Sequence, residues 1–288
     1  MIANRKLNDD CALVIHSCDA YKDIWPLFFA AFKDNWRDCS LDIYLNTETE
    51  TYSFDGLNLK TLNQGNFCQG APWGKRLIDL TKRIDKPFVI SLFDDFIMEG
   101  PVNVTLVEEC LKLLKINQDI AAFYFLSIPG AVRSDGLHPY FNFLECFTDY
   151  KINSAPAIWR KSSLIKFTGE IDNPWAWEVF GTARTYFEKE RFYSAKDNTQ
   201  MVFKYNYALG GAIRRGKWVA SVVNPLIKKY GLSIDLSQRG FAGESMNEGK
   251  HSLKWKLKFF QLGYEMVGAR AVVFLVRAIF HKFRKALS

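Results

Sequence analysis

Short apolar runs that each close on a polar cluster, separated by stretches of helical period, constrain this chain more than any other feature. Ala12-Leu-Val-Ile-His16 runs into Ser17-Cys-Asp-Ala-Tyr21, Leu41-Asp-Ile-Tyr-Leu45 into Asn46-Thr47-Glu48, and Pro87 to Phe93 into Asp94-Asp95. Runs of that length bounded by turn-forming residues read as buried strands. Leu57 to Leu62 and Ala121 to Leu126 read the same way. Ile24 to Trp36, with Asp23 in its first turn, Trp73 to Ile84 and Val104 to Ile116 carry apolar residues at helical spacing. Strands alternating with helices predict an α/β domain around a mainly parallel sheet. Ligands of such sheets sit beyond the carboxyl ends of the strands, where the three polar clusters fall.

The second half is less regular. Ser127 to Phe143 reads as a long loop, Ile152 to Trp159 as a strand and Ser162 to Phe167 as a short helix. Asn173-Pro-Trp175 is a turn, and Trp177 to Glu190 reads as a helix. Tyr205 to Ile213 and Trp218 to Val223 read as a strand pair around Arg214-Arg-Gly-Lys217. There is no internal repeat. A composition 48% hydrophobic and 15% aromatic supports a large core and excludes disorder. The six cysteines are scattered with no C-x-x-C, which argues for reduced thiols in a cytosolic compartment.

Asp94-Asp95 is the first candidate for chemistry. Two carboxylates at a sheet edge suit a hard divalent cation that bridges phosphates; the same pair also suits a loop opening or a helix cap. Trp73-Gly-Lys-Arg76 enters a helix and offers a phosphate site, or simply a solvated helix face. In Asn173-Pro-Trp-Ala-Trp-Glu178, two rings flank a carboxylate. Trp175 and Trp177 would shield Glu178 and stack on an acceptor sugar, fitting Glu178 for general-base work. Alternatively, both rings belong to the core. His16, His138, His251 and His281 share no metal-ligand spacing. The absence of G-x-S-x-G, Walker A and G-x-G-x-x-G motifs counts against serine hydrolases, P-loop NTPases and Rossmann dehydrogenases.

Taken in order, "SCDAYKDIWPLFF" (Ser17 to Phe29), "LDIYLNTE" (Leu41 to Glu48), "WGKRLIDLTKRIDKPFVISLFDDF" (Trp73 to Phe96), "SAPAIWRKSSL" (Ser154 to Leu164), "NPWAWEVFGTAR" (Asn173 to Arg184) and "RRGKW" (Arg214 to Trp218) resemble a group of bacterial glycosyltransferases of polysaccharide clusters. The resemblance implies a GT-A-like nucleotide-diphospho-sugar transferase fold. It implies that Ser17, Asp19 and Tyr21 line the nucleotide pocket, that Asn46 and Thr47 lie near the base and that Arg76 approaches the diphosphate. Asp94-Asp95 would stand in for the DxD motif that holds Mn²⁺ or Mg²⁺. The register starting at Phe93 makes Asp95 the better ligand, and Phe96 departs from the strict motif if the register starts at Asp94. His251 is the only positional candidate for a further ligand. Glu178 would lie where inverting members place the catalytic base.

Net charge is +7 and unevenly placed: residues 250–288 hold nine bases and one acid, Glu265, for +8, leaving −1 on residues 1–249. The sequence therefore divides into a catalytic domain (1–249) and a basic amphipathic helical appendage (250–288). Arg270, Arg277, Arg284 and His281 form a stripe opposite Val272, Leu275, Val276, Ile279, Phe280, Phe283 and Leu287. Such a helix suits an anionic membrane surface, or packs its apolar side on the domain. No nucleic-acid-binding signature accompanies it. The polar N-terminus is no signal peptide, and no apolar run is long enough to span a bilayer. The expectation is a metal-dependent hexosyltransferase, peripheral on the cytoplasmic face of the inner membrane. It would act on a nucleotide-sugar donor and a lipid-linked glycan acceptor. The rivals are a nucleotidyltransferase acting on sugar phosphates and a non-catalytic membrane-bound carbohydrate-binding protein.

Overall fold

The computed structural model describes residues 7–61, 70–128, 132–199, 202–205, 210–243, 252–274 and 276–277. In the first half the expected elements appear in the expected order: β1 (Cys11–His16), α1 (Trp25–Asn35), β2 (Ile43–Asn46), β3 (Leu59–Thr61), α2 (Trp73–Arg83), β4 (Phe88–Phe93), α3 (Val104–Ile116) and β5 (Ile120–Tyr124). The second half adds β6 (Val132–Arg133), β7 (Phe141–Leu144), β8 (Ala157–Arg160), α4 (Lys161–Phe167), α5 (Pro174–Val179) and β9 (Arg191–Ala195). It closes with β10 (Ile213–Arg214), β11 (Lys217–Trp218), α6 (Ala220–Tyr230) and α7 (Leu253–Val267).

Nine strands form one sheet in the order β3-β2-β1-β4-β8-β5-β9-β7-β6. Seven run in one direction, and β8 and β7 run against them. The fold is thus α/β with a mainly parallel sheet and a helical C-terminal segment. Strand alternation sorts the core into two layers. Cys11, Leu13 and Ile15 of β1 pack with α1, α3 and α6, whereas Ala12 and Val14 pack with α2, α4 and Trp177 of α5.

Four second-half readings change. The loop expected over residues 127–143 contains β6 and the start of β7, which pair with each other at the sheet edge. The strand expected from Ile152 is confined to β8. The helix expected over residues 177–190 is α5, then a 3-10 turn (Gly181–Thr185), with strand β9 after it. There the Thr182 hydroxyl donates to the Glu178 carbonyl at 2.9 Å, a local bond that competes with helix propagation. Finally, Val219 to Val223 enters α6 instead of a strand, because Val222, Val223 and Leu226 bury one helical face.

The appendage docks on the domain. α7 ends at Gly268 in the left-handed region (φ 58°), and residues 270–274 are helical again. Gly263 sits where any Cβ would come within 2.5 Å of the Phe180 ring, so glycine lets α7 approach this closely. Two arginines of the expected basic stripe, Arg270 and Arg277, bond to the domain. Arg270 Nη1 donates to the Arg184 carbonyl at 3.2 Å and Arg277 Nη2 to the Phe147 carbonyl at 2.5 Å. These cations satisfy carbonyls of the domain, while Val272, Val273 and Val276 are exposed. Leu275, Ile279, Phe280, His281, Phe283, Arg284 and Leu287 lie outside the described residues. Among those described, no helix is long and apolar enough to cross a membrane.

Candidate functional site

β1, β2 and β4 end at the same level, with His16 in register with both Asn46 and Phe93. The residues after them therefore converge. Ser17 Oγ donates to Asp94 Oδ2 at 2.5 Å. Trp25 Nε1 donates to Ser17 Oγ at 2.7 Å and to Asp94 Oδ2 at 3.2 Å. Burial, and then the adjacent Asp95, push the Asp94 carboxyl well above the usual range. Burial lifts Asp95 to about 6. Its carbonyl accepts from Ala212 N–H at 2.6 Å, which ties the segment before β10 to this edge. His16 Nε2 lies 2.8 Å from Ser91 Oγ. Burial, with Arg76 second, lowers its imidazole to about 3, so the ring is a neutral wall beside Trp73 and Phe93.

Arg76, on the first turn of α2, is buried. Its Nη2 pairs with Glu48 Oε1 at 3.0 Å and its Nη1 donates to the Ser17 carbonyl at 3.3 Å. The cation is thus held against the loops after both β1 and β2. Asp19 makes the same junction from the other side. Its carboxylate accepts from the backbone N–H groups of Glu48, Thr49 and Glu50 and from the Thr49 hydroxyl. Burial raises its pKa, but these bonds outweigh that and hold it below the usual value.

A cavity of about 610 Å³ opens over this edge, lined by Ser17, Cys18, Tyr21, Arg76, Asp94 and Asp95, and also by Trp175, Glu178 and Arg215. Of the residues expected at the donor, Ser17, Tyr21, Arg76, Asp94 and Asp95 share it. Asp19, Asn46 and Thr47 do not line it. Asp19 is committed to residues 48–50, Asn46 and Thr47 are buried under the edge, and Thr47 Oγ1 donates to the Glu50 carbonyl at 2.8 Å. All three can shape the loops after β1 and β2 but do not form the cavity wall.

The second wall is α5. Asn173 caps it, its side chain accepting from Ala176 N–H at 2.8 Å, with Pro174 in the first turn. Glu178 Oε1 accepts from Ser154 N–H at 2.7 Å and from the Ser154 hydroxyl, leaving Oε2 for another donor. A second cavity of about 240 Å³ shares Glu178, Ser154 and Phe96 with the first and extends past Tyr150, Asn153 and Ser127. Glu178 thus stands where two cavities meet. The two flanking tryptophans separate. Trp175 is 55% exposed at the cavity rim, whereas Trp177 is 2% exposed, packs on Trp73 and Trp159 and donates to the Phe167 carbonyl at 3.2 Å. The expectation that both rings stack on an acceptor is corrected: α5 turns position 177 into the core.

Asp172, fully buried, ties the walls together. Its carboxylate takes Arg184 Nη1 at 2.5 Å, Nη2 at 2.8 Å and Gly169 N–H at 2.8 Å. Its carbonyl takes Gly74 N–H at 2.9 Å, and the Glu170 carbonyl takes Lys75 N–H at 3.0 Å. The first turn of α2 is thereby pinned to the loop that leads into α5. A Cβ on Gly74 would come within 2.0 Å of the Gly169 carbonyl oxygen. Arg184 Nη2 also reaches the Met266 carbonyl of α7 at 3.3 Å.

The donor set suits a hard divalent cation. Asp95 is a half-buried carboxylate whose partial desolvation a cation would offset, and the buried Asp94 stands beside it. Among the described residues no third His, Cys, Asp or Glu completes a metal cluster, so the remaining ligands would be phosphate oxygens or water. His251 lies outside the described residues. The sequence reading missed three members of the site: His16, Ser154 and Arg215. Arg215 has φ +50° and Gly216 φ +78° in the two-residue turn of the β10–β11 hairpin. Arg-Gly between short strands was the available signal for it.

No protein-family model matches this chain, and no curated protein matches it. Among solved structures it is similar to S. aureus TarS 1–349 in complex with UDP-GlcNAc, with a TM-score of 0.47 at 13% identity, over 92% of this chain and 70% of that one. The crystal structure of TarS 1–349 gives 0.42 at 11% identity, over 67% and 59%. CMP:2-keto-3-deoxy-manno-octonic acid synthetase complexed with CTP gives 0.39 at 13% identity, over 64% and 88%. The chain thus spans 59% of one TarS chain and 35% of another.

Proposed function

We propose that this protein is a metal-dependent glycosyltransferase of GT-A-like fold. It moves a hexosyl group from a nucleotide sugar to a hydroxyl of a lipid-linked glycan, with inversion. The observation that carries the reading is the junction of two cavities at Glu178, the larger one holding Asp94, Asp95 and Arg76.

The donor lies in the larger cavity, its nucleotide against Ser17, Cys18 and Tyr21 and its diphosphate toward Arg76. Asp95, with Asp94 second, would hold Mn²⁺ or Mg²⁺. When bound, that ion supplies positive charge to the departing diphosphate. Arg76 adds a fixed cation whose orientation Glu48 and the Ser17 carbonyl set in advance. The acceptor enters by the smaller cavity, with Trp175 offering a ring at the rim of the larger one. Glu178 Oε2 accepts the proton of the attacking hydroxyl, while Ser154 holds Oε1 and thereby the plane of the carboxylate. A base placed at the acceptor side supports inversion.

The test is a thermal-shift panel of nucleotide sugars with and without Mn²⁺. One base should give a metal-dependent shift that Asp95→Ala abolishes. Absence of a shift across the panel overturns the reading.

A further inference from the structure

α7 is apolar on two faces. Trp255, Phe259, Leu262 and Met266 turn toward the domain, where Trp255 meets Trp175 at 5.7 Å and Phe259 meets Phe180 at 5.0 Å. Phe260 also packs on the domain, whereas Leu253, Leu257 and Tyr264 form a second stripe, within about 40° of one another on a helical wheel. Leu253 is 79% exposed, Leu257 70% and Tyr264 55%. A helix that is apolar on two faces needs two partners, and the domain supplies one.

The charges say what the second partner is. Lys254 and Lys256 fall on either side of the stripe, each about 80° from its centre, and both are exposed. Residues 252–264 contain no acid. An apolar stripe flanked by lysines with long stems is the pattern of a helix lying in a bilayer interface. The stripe enters the acyl boundary and the ammonium groups reach the headgroups. A second protein surface would gain nothing from lysines unless it were acidic, and a second copy of this segment would bring the same cations together.

We infer that the Leu253–Leu257–Tyr264 face of α7 seats the protein on an anionic bilayer, with Lys254 and Lys256 at headgroup level. The Arg270 and Arg277 guanidiniums serve the docking of the appendage on the domain. Because the other face of α7 packs on Trp175, the bilayer lies about one helix diameter, roughly 10 Å, from the rim of the larger cavity. Resting on the function proposed above, this explains how a lipid-linked acceptor reaches Glu178: it is presented at the surface on which the enzyme sits.

The test is co-sedimentation of the full chain with vesicles of phosphatidylcholine alone and of phosphatidylcholine with phosphatidylglycerol. The wild type should bind the anionic vesicles, and added salt should weaken the binding. Leu253→Asp with Leu257→Asp should weaken it roughly tenfold or more while leaving the melting temperature unchanged. Lys254→Glu with Lys256→Glu should remove the preference for anionic lipid. Wild-type binding in the aspartate variant, or no vesicle binding by the wild type, overturns the inference. So does a wild-type dimer that the aspartate variant converts to monomer without any vesicle binding. Nucleotide-sugar thermal shifts on the same preparations separate the two failures. Vesicle binding without donor binding sinks the glycosyltransferase reading and leaves the bilayer surface standing.

Discussion

Asp94-Asp95 and Glu178 line one cavity, yet the fold treats them in contrasting ways. The aspartates end a central strand, and burial raises both carboxyls. Glu178 sits on a six-residue helix at the junction of two cavities, oriented by one serine. On the proposed function, the first pair is held at a desolvation cost that a cation would offset. The second group is built to be aimed. On that proposal, the difference teaches that a carboxylate for holding charge comes from a rigid sheet edge, whereas one for taking a proton needs access and a fixed plane.

Mutations at the two stations should therefore fail differently. Asp95→Ala should have the largest effect, abolishing the metal-dependent donor shift and lowering transfer by about 10³-fold or more, since metal charge stabilisation contributes several kcal/mol. Retained metal-dependent binding would remove Asp95 from the ligand set. Glu178→Gln should lower transfer by about 10²–10⁴-fold with an unchanged donor Kd by titration. A parallel loss of donor affinity would merge the two stations into one. Ser154→Ala should cost about tenfold in kcat with little change in donor KM, the worth of a hydrogen bond to a charged group. A KM effect alone would assign Ser154 to substrate binding. The smallest effect concerns Cys18 on the donor side. Burial raises its thiol to about 11, so alkylation of the metal-free protein should be slow at neutral pH. The rate should climb about tenfold per pH unit until the pH approaches that value. Nucleotide sugar should protect it, and mass spectrometry reads both outcomes.

The sheet-edge wall of the cavity was far more legible in the sequence than the α5 wall, and the reason is physical. Buried parallel strands leave long apolar runs, and the residues just after each run must sit at the sheet edge. Ser17, Asp94 and Asp95 could therefore be placed from the order of residues alone, whereas Arg76 was placed by its helix entry and by the family resemblance. Asp19, in the same loop as Ser17, could not be told from them. Whether a carboxylate faces a cavity or caps the neighbouring loop depends on backbone N–H groups 29 to 31 residues away. On the α5 wall, Trp175 and Trp177 differ only in helical phase, and a helix this short shows no periodicity from which to read one. Ser154 reaches Glu178 across 24 residues that hold a strand and a helix, a tertiary contact with no local signature. The tail's apolar and basic content was legible, but which side the arginines serve depended on carbonyls of the domain left without helical partners.

Asp172 has a consequence for how such an enzyme can change. The Asp172 carbonyl holds the turn bearing Arg76, while its carboxylate holds the loop feeding Glu178 and, through Arg184, the helix that carries the exposed apolar stripe. Lineages that alter donor, acceptor or address by reshaping any of these segments work against a shared anchor. Diversification should therefore accumulate in the β10–β11 hairpin and around Tyr150, which line the cavities without hanging on that anchor.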